Sequence, residues 1–180
     1  MLRHVDHTKD RPMLSISQIS TDEDYDAIRM LLGEFLDWVC TVEPDARDHP
    51  PVRTMLQELE NLPGIYGPPD GRFLLVRVDG APAGCAAIFS HGGGTVELKR
   101  MYVRPEFRGQ KIGSKLIIAL FEDARKLKNH RMILNSHHLL KASHHIYRSA
   151  GFKEIDAPDD FPAELQDIAI FMEADLNAAV

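Results

Sequence analysis

The spacing of hydrophobic residues changes near the middle of this chain. Residues 73–78, 83–89 and 95–103 are rich in apolar and β-branched side chains and are separated by glycine-containing turns, which predicts three successive antiparallel strands. From Lys111 the apolar residues recur every three or four positions, as in an amphipathic helix, and residues 132–134 then form a short apolar run. A strand, a helix and a second strand follow one another here, so these two strands should be parallel.

Further predicted elements flank this region. They are a strand over 14–19, a helix begun by a capping box of Ser20 and Glu23, a helix over 52–62, a helix over 139–150 ended by Gly151, and strands over 152–155 and 168–173. We therefore predict an α/β (α+β) fold in which helices cover both faces of a mixed, mostly antiparallel sheet of about six to seven strands. Residues 1–12 should form a flexible arm, and residues 13–180 one domain.

The composition narrows the choice of partners. The 180-residue chain has a net charge of −6 at pH 7, which argues against nucleic acid because phosphate binding needs a clustered positive surface. Cys40 and Cys85 are isolated thiols without metal-binding or redox spacing, which fits a reduced, cytoplasmic setting. No run approaches the roughly 20 apolar residues of a spanning helix, so no membrane partner is expected.

The segment from Arg108 to Ser114 joins the last strand of the meander to the helix through small residues. Free backbone amides at a helix N-terminus, with the positive end of the helix dipole, can bind a phosphate, and glycines let the backbone approach it closely. The spacing is neither that of a P-loop nor that of a dinucleotide-binding fingerprint. The alternative is a polar loop that only caps the helix.

This segment resembles the acetyl-CoA signature [RQ]-x-x-G-x-[GA] of the GNAT superfamily. Arg108 and Gly113 match its ends, while Lys111 replaces the middle glycine and is expected to be in helical geometry already. The run Tyr147-Arg148-Ser149-Ala150-Gly151-Phe152 is similar to the family's helix-to-strand element, and the resemblance extends over residues 14–176. It implies the GNAT fold, acetyl-CoA as co-substrate and no metal.

The resemblance also implies the residues of a site. A strand edge can pair with the pantetheine arm as an added strand does. The expected cofactor-binding residues are Met101, Val103, Arg108, Gly109, Gln110, Lys111, Ile112, Gly113, Ser114 and Asn135, and the expected catalytic residues are Glu97 and Tyr147.

Each catalytic candidate has a structural alternative. Glu97 interrupts an apolar strand on the same predicted face as Lys99 and Met101, so it is either a general base or an ion-pair partner of a cation such as Lys99. Tyr147 lies where the family holds a tyrosine close to the cofactor sulfur, and it is either the acid that protonates the thiolate or a core residue. We expect the histidines at 137, 138, 144 and 145 to lie on the protein surface or at the acceptor site, and not to bind a metal.

The predicted function is N-acetyl transfer. Acetyl-CoA donates to a primary amine of a small molecule or peptide by direct attack in a ternary complex, and a backbone amide near Met101 stabilises the oxyanion. The alternative is a non-catalytic acyl-CoA-binding sensor or interaction domain. Acceptor specificity is expected from the loops 44–51, 66–70 and 156–166, and the sequence leaves open both the acceptor and a homodimer.

Overall fold

A seven-stranded sheet organises the chain, and its strands are arranged in the order β1-β2-β3-β4-β5-β7-β6. The computed structural model describes residues 12–159 and 161–178; residues 1–11 of the predicted arm lie outside the described residues. The strands are β1 (Leu14–Gln18), β2 (Arg72–Val78), β3 (Ala81–Gly92), β4 (Thr95–Val103), β5 (Arg131–His137), β6 (Lys153–Ile155) and β7 (Ala169–Asp175). The helices are α1 (Asp22–Val42), α2 (Pro50–Glu60), α3 (Ile112–Lys126), α4 (Lys141–Ser149) and the short α5 (Ala163–Gln166).

Alternation along the central strands produces a hydrophobic core on each face of the sheet. In β2, Leu74 and Val76 point to a core that includes the apolar face of α3, whereas Phe73 and Leu75 point to a core that includes α1 and α2. All the strand pairs are antiparallel except β4–β5, the pair that α3 connects. The predicted mixed, mostly antiparallel sheet with helices on both faces is therefore confirmed. No helix within residues 12–159 and 161–178 is long and apolar enough to cross a membrane.

The parallel pairing of β4 with β5 is short. It runs from Thr95 opposite Arg131 to Glu97 opposite Ile133, although both strands continue. From Leu98 onward β4 has no strand neighbour on that side among the described residues. The two strands thus separate in the middle of the sheet and leave one edge of β4 uncovered.

A β-bulge at Arg100 changes which way the end of β4 faces. Arg100 has φ 57°, and two residues of β4 oppose one residue of β3 at this point. The predicted alternation is therefore wrong beyond the bulge: Met101 packs against the α3 core, whereas Lys99 Nζ lies 5.5 Å from the centre of the Phe89 ring on the other face. Glu97 and Met101 do not share a face.

The helix boundaries also differ slightly from the predicted ones. The capping box of α1 is one residue further along, where Thr21 caps the helix and Asp24 is its partner, instead of Ser20 and Glu23. Helix α2 begins two residues early because Pro50, with its fixed φ, suits a first helical position.

Asp24 connects the start of α1 to β2. Its carboxylate accepts hydrogen bonds from the backbone N–H groups of Ser20 (3.0 Å) and Thr21 (3.2 Å) and from Arg77 Nη1 (2.9 Å). Burial acts to raise the pKa of Asp24, but these hydrogen bonds outweigh it and lower the pKa below 3.8. Because the folded-state pKa is lowered, the carboxylate stabilises the fold above the unfolded-state pKa, and this stabilisation is lost as pH falls through the folded-state value.

We predict that Asp24→Ala lowers the free energy of unfolding by about 1–3 kcal/mol near neutral pH, because it removes the N3 partner of the capping box and leaves partly buried donors unsatisfied. Urea unfolding should show this difference shrinking below about pH 4. The control is Asp26→Ala, which removes an exposed pair with Arg29 and should cost less than about 0.5 kcal/mol. Equal losses in both variants, or a loss that persists in acid, would contradict the assignment.

Candidate functional site

The turn before α3 contains two residues in the left-handed conformation. Gly109 has φ 81°, and Lys111, the N-cap of α3, has φ 59° and ψ 23°. The expectation that Lys111 is already helical is wrong, because its φ has the opposite sign. A left-handed residue other than glycine costs roughly 1 kcal/mol, which explains why the resembling signature places glycine here.

The backbone amides at the start of α3 form a candidate anion site. The first hydrogen bond of the helix runs from Lys115 N–H to the Lys111 carbonyl (3.0 Å), so the N–H groups of Ile112, Gly113 and Ser114 have no partner within the helix. They add to the positive end of the helix dipole. Arg108 and Gln110 are exposed beside them, and Arg108 Nε donates to the Val103 carbonyl at the end of β4 (3.2 Å).

Gly113 also has a packing role that the sequence did not indicate. A Cβ atom at this position would lie 3.0 Å from Met101 Cε and 3.2 Å from Ile146 Cδ1. The missing side chain therefore lets α3 pack closely against β4 and α4.

A largely apolar cleft of about 480 Å³ lies between the diverging strands and the helices α1, α2 and α4. Of the predicted site residues, Met101, Asn135 and Tyr147 line it, whereas Glu97, Val103 and the segment 108–114 do not. Two of the three predicted specificity loops contribute side chains to the walls. These side chains are Ala46, His49, Pro50 and Pro51 from the first loop, and Phe161, Pro162 and Leu165 from the last.

Glu97 is a buried carboxylate with several polar neighbours. His91 Nε2 lies 2.8 Å from Oε2, Lys99 Nζ lies 3.4 Å from Oε1, and Asn135 Nδ2 donates to Oε1 at 3.2 Å. The Asn135 bond joins β5 to β4 beside the point where their pairing ends. This environment includes the ion pair with Lys99 that was the structural alternative for Glu97.

Tyr147 lies on α4 and is only 6% exposed. Its ring packs against Phe152 with a centroid separation of 5.8 Å, and no side chain or backbone group of the described residues forms a hydrogen bond with its hydroxyl. Burial raises the pKa of the phenol well above its ordinary value, so the hydroxyl keeps its proton throughout the neutral range. Both of its predicted roles agree with this placement, since Tyr147 belongs to the core and also lines the cleft.

The four histidines have different environments. His137 lines the cleft, His138 Nδ1 lies 3.3 Å from the Ile168 carbonyl, His144 is buried with Nε2 3.1 Å from Ser136 Oγ, and His145 is exposed. Burial is the largest cause of the lowered pKa of His144, which favours its neutral form. Only His137 among the four therefore faces the cleft.

Sequence reasoning missed two ionic groups at this cleft. Arg100 also lines it, and its Nε donates to Glu58 Oε2 on α2 at 2.8 Å, while Tyr66 donates to the same oxygen at 2.6 Å. Glu43, which follows α1, lines the cleft 2.7 Å from His137 Nε2. Neither grouping has a sequence signature, because its members come from separate elements.

Comparisons with known proteins agree with this architecture. The family model described as the acetyltransferase (GNAT) family matches residues 32–152. An uncharacterized N-acetyltransferase of Schizosaccharomyces pombe is 34% identical over 78% of this chain and 83% of its own length. An IAA acetyltransferase of Azospirillum brasilense is 31% identical over 72% of this chain and 78% of its own length.

A solved structure shares the fold at lower identity. The PaiA N-acetyltransferase of Thermoplasma acidophilum, in complex with coenzyme A, superposes with a TM-score of 0.65 at 20% identity and covers 91% of this chain and 99% of its own. The family match spans well over half of the chain and includes the turn before α3, the diverging strands and α4. This chain is therefore an acetyltransferase that belongs to the GNAT family.

Proposed function

We propose that this protein transfers the acetyl group of acetyl-CoA to a primary amine of a small molecule or peptide, by direct attack in a ternary complex. One observation carries the proposal: the uncovered edge of β4 connects the amides at the start of α3 with the apolar cleft. The coenzyme A bound by the similarly folded PaiA enzyme supports the choice of cofactor. We further propose that residues 13–180 form one domain, since both cores cover a single sheet.

The residues of α3 and β4 would hold the cofactor. The amides of residues 112–114 and the side chains of Arg108, Gln110 and Lys111 are suited to the pyrophosphate. Backbone groups of Met101 and Val103 are suited to the pantetheine arm, which would take the place of the missing neighbour of β4. Asn135 lines the opposite wall, on β5.

The chemistry needs an amine, a polarised thioester and a proton for the departing sulfur. The neutral amine attacks the carbonyl carbon and forms the C–N bond, and a backbone amide near Met101 stabilises the oxyanion. The C–S bond then breaks, and the thiolate takes a proton from Tyr147, which recovers one from the amine nitrogen. The raised pKa of Tyr147 keeps the phenol protonated beforehand but makes it a weaker acid, so its proton must move to the sulfur as it recovers one from the amine nitrogen.

The family match bears on one alternative, and the surroundings of Glu97 bear on another. Membership in an acetyltransferase family favours an enzyme over the non-catalytic sensor. Glu97 stays a proposed general base, but its carboxylate already contacts His91, Lys99 and Asn135 and does not line the cleft, which supports the structural alternative.

A cysteine-linked acetyl intermediate has little support. Cys85 is fully buried, its Sγ donates to the Arg100 carbonyl (3.3 Å), and burial raises its pKa to about 12, so little thiolate forms near neutral pH. Cys40 is partly exposed on α1 and is absent from the lining of the cleft. Direct transfer requires neither thiol.

We predict that saturating acetyl-CoA raises the melting temperature. At about 100 times the dissociation constant a ligand of the native state adds about 2.7 kcal/mol, which corresponds to roughly 5–10 °C in a chain of this size. Ser114→Glu should abolish the rise because its carboxylate occupies the anion site. The variant should still fold, because an acidic residue in the first turn of α3, which has none, interacts favourably with the helix dipole. The matched control is Ser17→Glu on edge strand β1, which should keep the full rise. No rise in the wild-type protein would disprove the cofactor assignment.

We predict that Tyr147→Phe lowers kcat by about 100-fold or more for a substrate whose chemical step limits turnover, because the proton donor to the thiolate is lost. The melting-temperature rise with acetyl-CoA should be unchanged, since the ring that packs in the core is retained. Tyr25→Phe on α1 is the control and should leave kcat unchanged, because Tyr25 does not line the cleft. A wild-type rate in Tyr147→Phe would leave only its role in packing.

We predict that iodoacetamide at about pH 8 alkylates Cys40 but not Cys85 in the native protein, and that it alkylates both after unfolding in urea. Mass spectrometry of the intact protein after incubation with acetyl-CoA should find no acetyl adduct on either thiol. An adduct that forms and then disappears when an amine is added would refute direct transfer.

A further inference from the structure

Glu43 brings a carboxylate to an otherwise apolar part of the cleft. It is the C-cap of α1, where its backbone N–H donates to the Val39 carbonyl (2.8 Å) and so holds the residue in place. Its side chain is 25% exposed and lines the cleft together with Phe35, Trp38 and Val42 of the same helix. Across the part of the chain that the structure describes, Glu43 is the one acidic residue in the lining of this cleft.

His137 holds this carboxylate from the other wall. The backbone N–H of Leu139 donates to His137 Nδ1 (3.2 Å), and a backbone N–H can only donate, so the proton of the neutral imidazole is on Nε2. Nε2 lies 2.7 Å from Glu43 Oε1. The ring also stacks on His138, with the centroids 4.6 Å apart, which restrains its orientation. The angle of the contact between Nε2 and Oε1 does not make a hydrogen bond, and Nε2 is a buried polar atom without a hydrogen-bond partner among the described residues. His137 therefore lies against the Glu43 carboxylate and limits where it can sit.

The cations at this cleft have other partners. Lys99 Nζ lies 3.4 Å from Glu97 Oε1, and Arg100 binds Glu58. His49 Nδ1 is 3.8 Å from Glu43 Oε2, beyond hydrogen-bonding distance. The second oxygen of Glu43 is thus available to a cation that enters the cleft. A ligand with a positive charge on an apolar body complements these walls.

We propose that the acceptor is a primary amine on an aromatic or bulky apolar body, and that Glu43 binds its ammonium group and removes the proton that makes it nucleophilic. This inference rests on the proposed function, whose general base it reassigns. The apolar body packs against the side chains of α1 and the facing residues Leu139, Phe161 and Leu165. One proton passes from the ammonium to Glu43, and the resulting amine attacks the thioester. His137 is a positioning residue that orients the carboxylate.

The proposal predicts that the contribution of Glu43 to activity depends on pH. His49 and His137 are the titratable groups next to Glu43, and Lys99, Arg100 and Tyr147 also line the cleft. Below the pKa of the amine, the wild-type protein needs a base to generate the nucleophile. Near and above that pKa the amine is already neutral, so a base contributes little. The loss of activity on removing Glu43 should therefore shrink as pH rises toward the pKa of the amine.

The experiment compares 2-phenylethylamine with ethanolamine as acceptors, by following thiol release from acetyl-CoA. The wild-type kcat/KM should be about 10–100 times higher for 2-phenylethylamine, because its ring enters the apolar cleft. Glu43→Gln should lower this kcat/KM by about 100-fold near pH 7, and by much less near pH 9.5. His137→Gln, which keeps a polar side chain beside Glu43, should retain more activity than His137→Ala. The controls are Glu122→Gln and His145→Ala, both exposed and outside the cleft, which should match the wild-type protein.

The melting-temperature rise with acetyl-CoA distinguishes failure of the proposed function from failure of the role of Glu43. If the wild-type protein shows no rise, the proposed function fails. If the rise is present in the wild-type protein and in Glu43→Gln, three results overturn only the present inference. The first is an equal kcat/KM for ethanolamine and 2-phenylethylamine, and the second is that neither amine is acetylated. The third is a loss of kcat/KM in Glu43→Gln that does not change with pH.

Discussion

The early end of the parallel pairing between β4 and β5 is the constraint on which the rest of the site depends. After Glu97 and Ile133 the two strands no longer share hydrogen bonds, yet each still pairs with its antiparallel neighbour. An unpaired strand edge inside a sheet costs free energy unless another group satisfies its polar atoms. This edge therefore presents backbone donors and acceptors between two hydrophobic cores, where an extended ligand can pair with them.

The bulge at Arg100 lies on the unpaired part of β4 and changes the direction of its side chains. By inserting one residue, it directs Met101 toward the α3 core while Glu97 and Lys99 stay on the opposite face. The Arg100 side chain binds Glu58 on α2, and the Arg100 carbonyl accepts a hydrogen bond from Cys85 Sγ. The side chain and the backbone of Arg100 are therefore both restrained. A residue with positive φ other than glycine is strained, and these contacts from α2 and β3 help to offset that strain.

The two carboxylates near the diverging strands differ in their surroundings. Glu97 is buried and contacts His91, Lys99 and Asn135, so its negative charge is balanced within the protein. Glu43 is partly exposed and lies beside His137 and His49 among apolar side chains of the cleft. Balanced charges attract a ligand weakly, whereas an unbalanced carboxylate among apolar walls attracts a cation. This contrast separates a group that supports the sheet from a group suited to binding an ammonium.

The order of the elements, the parallel relation of β4 and β5, and the turn that leads into α3 could all be predicted from the amino-acid sequence. These features depend on the spacing of apolar residues and on local turn chemistry, which neighbouring residues encode. The point where β4 and β5 separate, and the face that Met101 takes after the bulge, depend on tertiary packing. Tertiary packing also brought Glu43 to His137 from opposite walls of the cleft. Such contacts join residues far apart in the chain, so they depend on how helices and strands pack, which local periodicity does not encode.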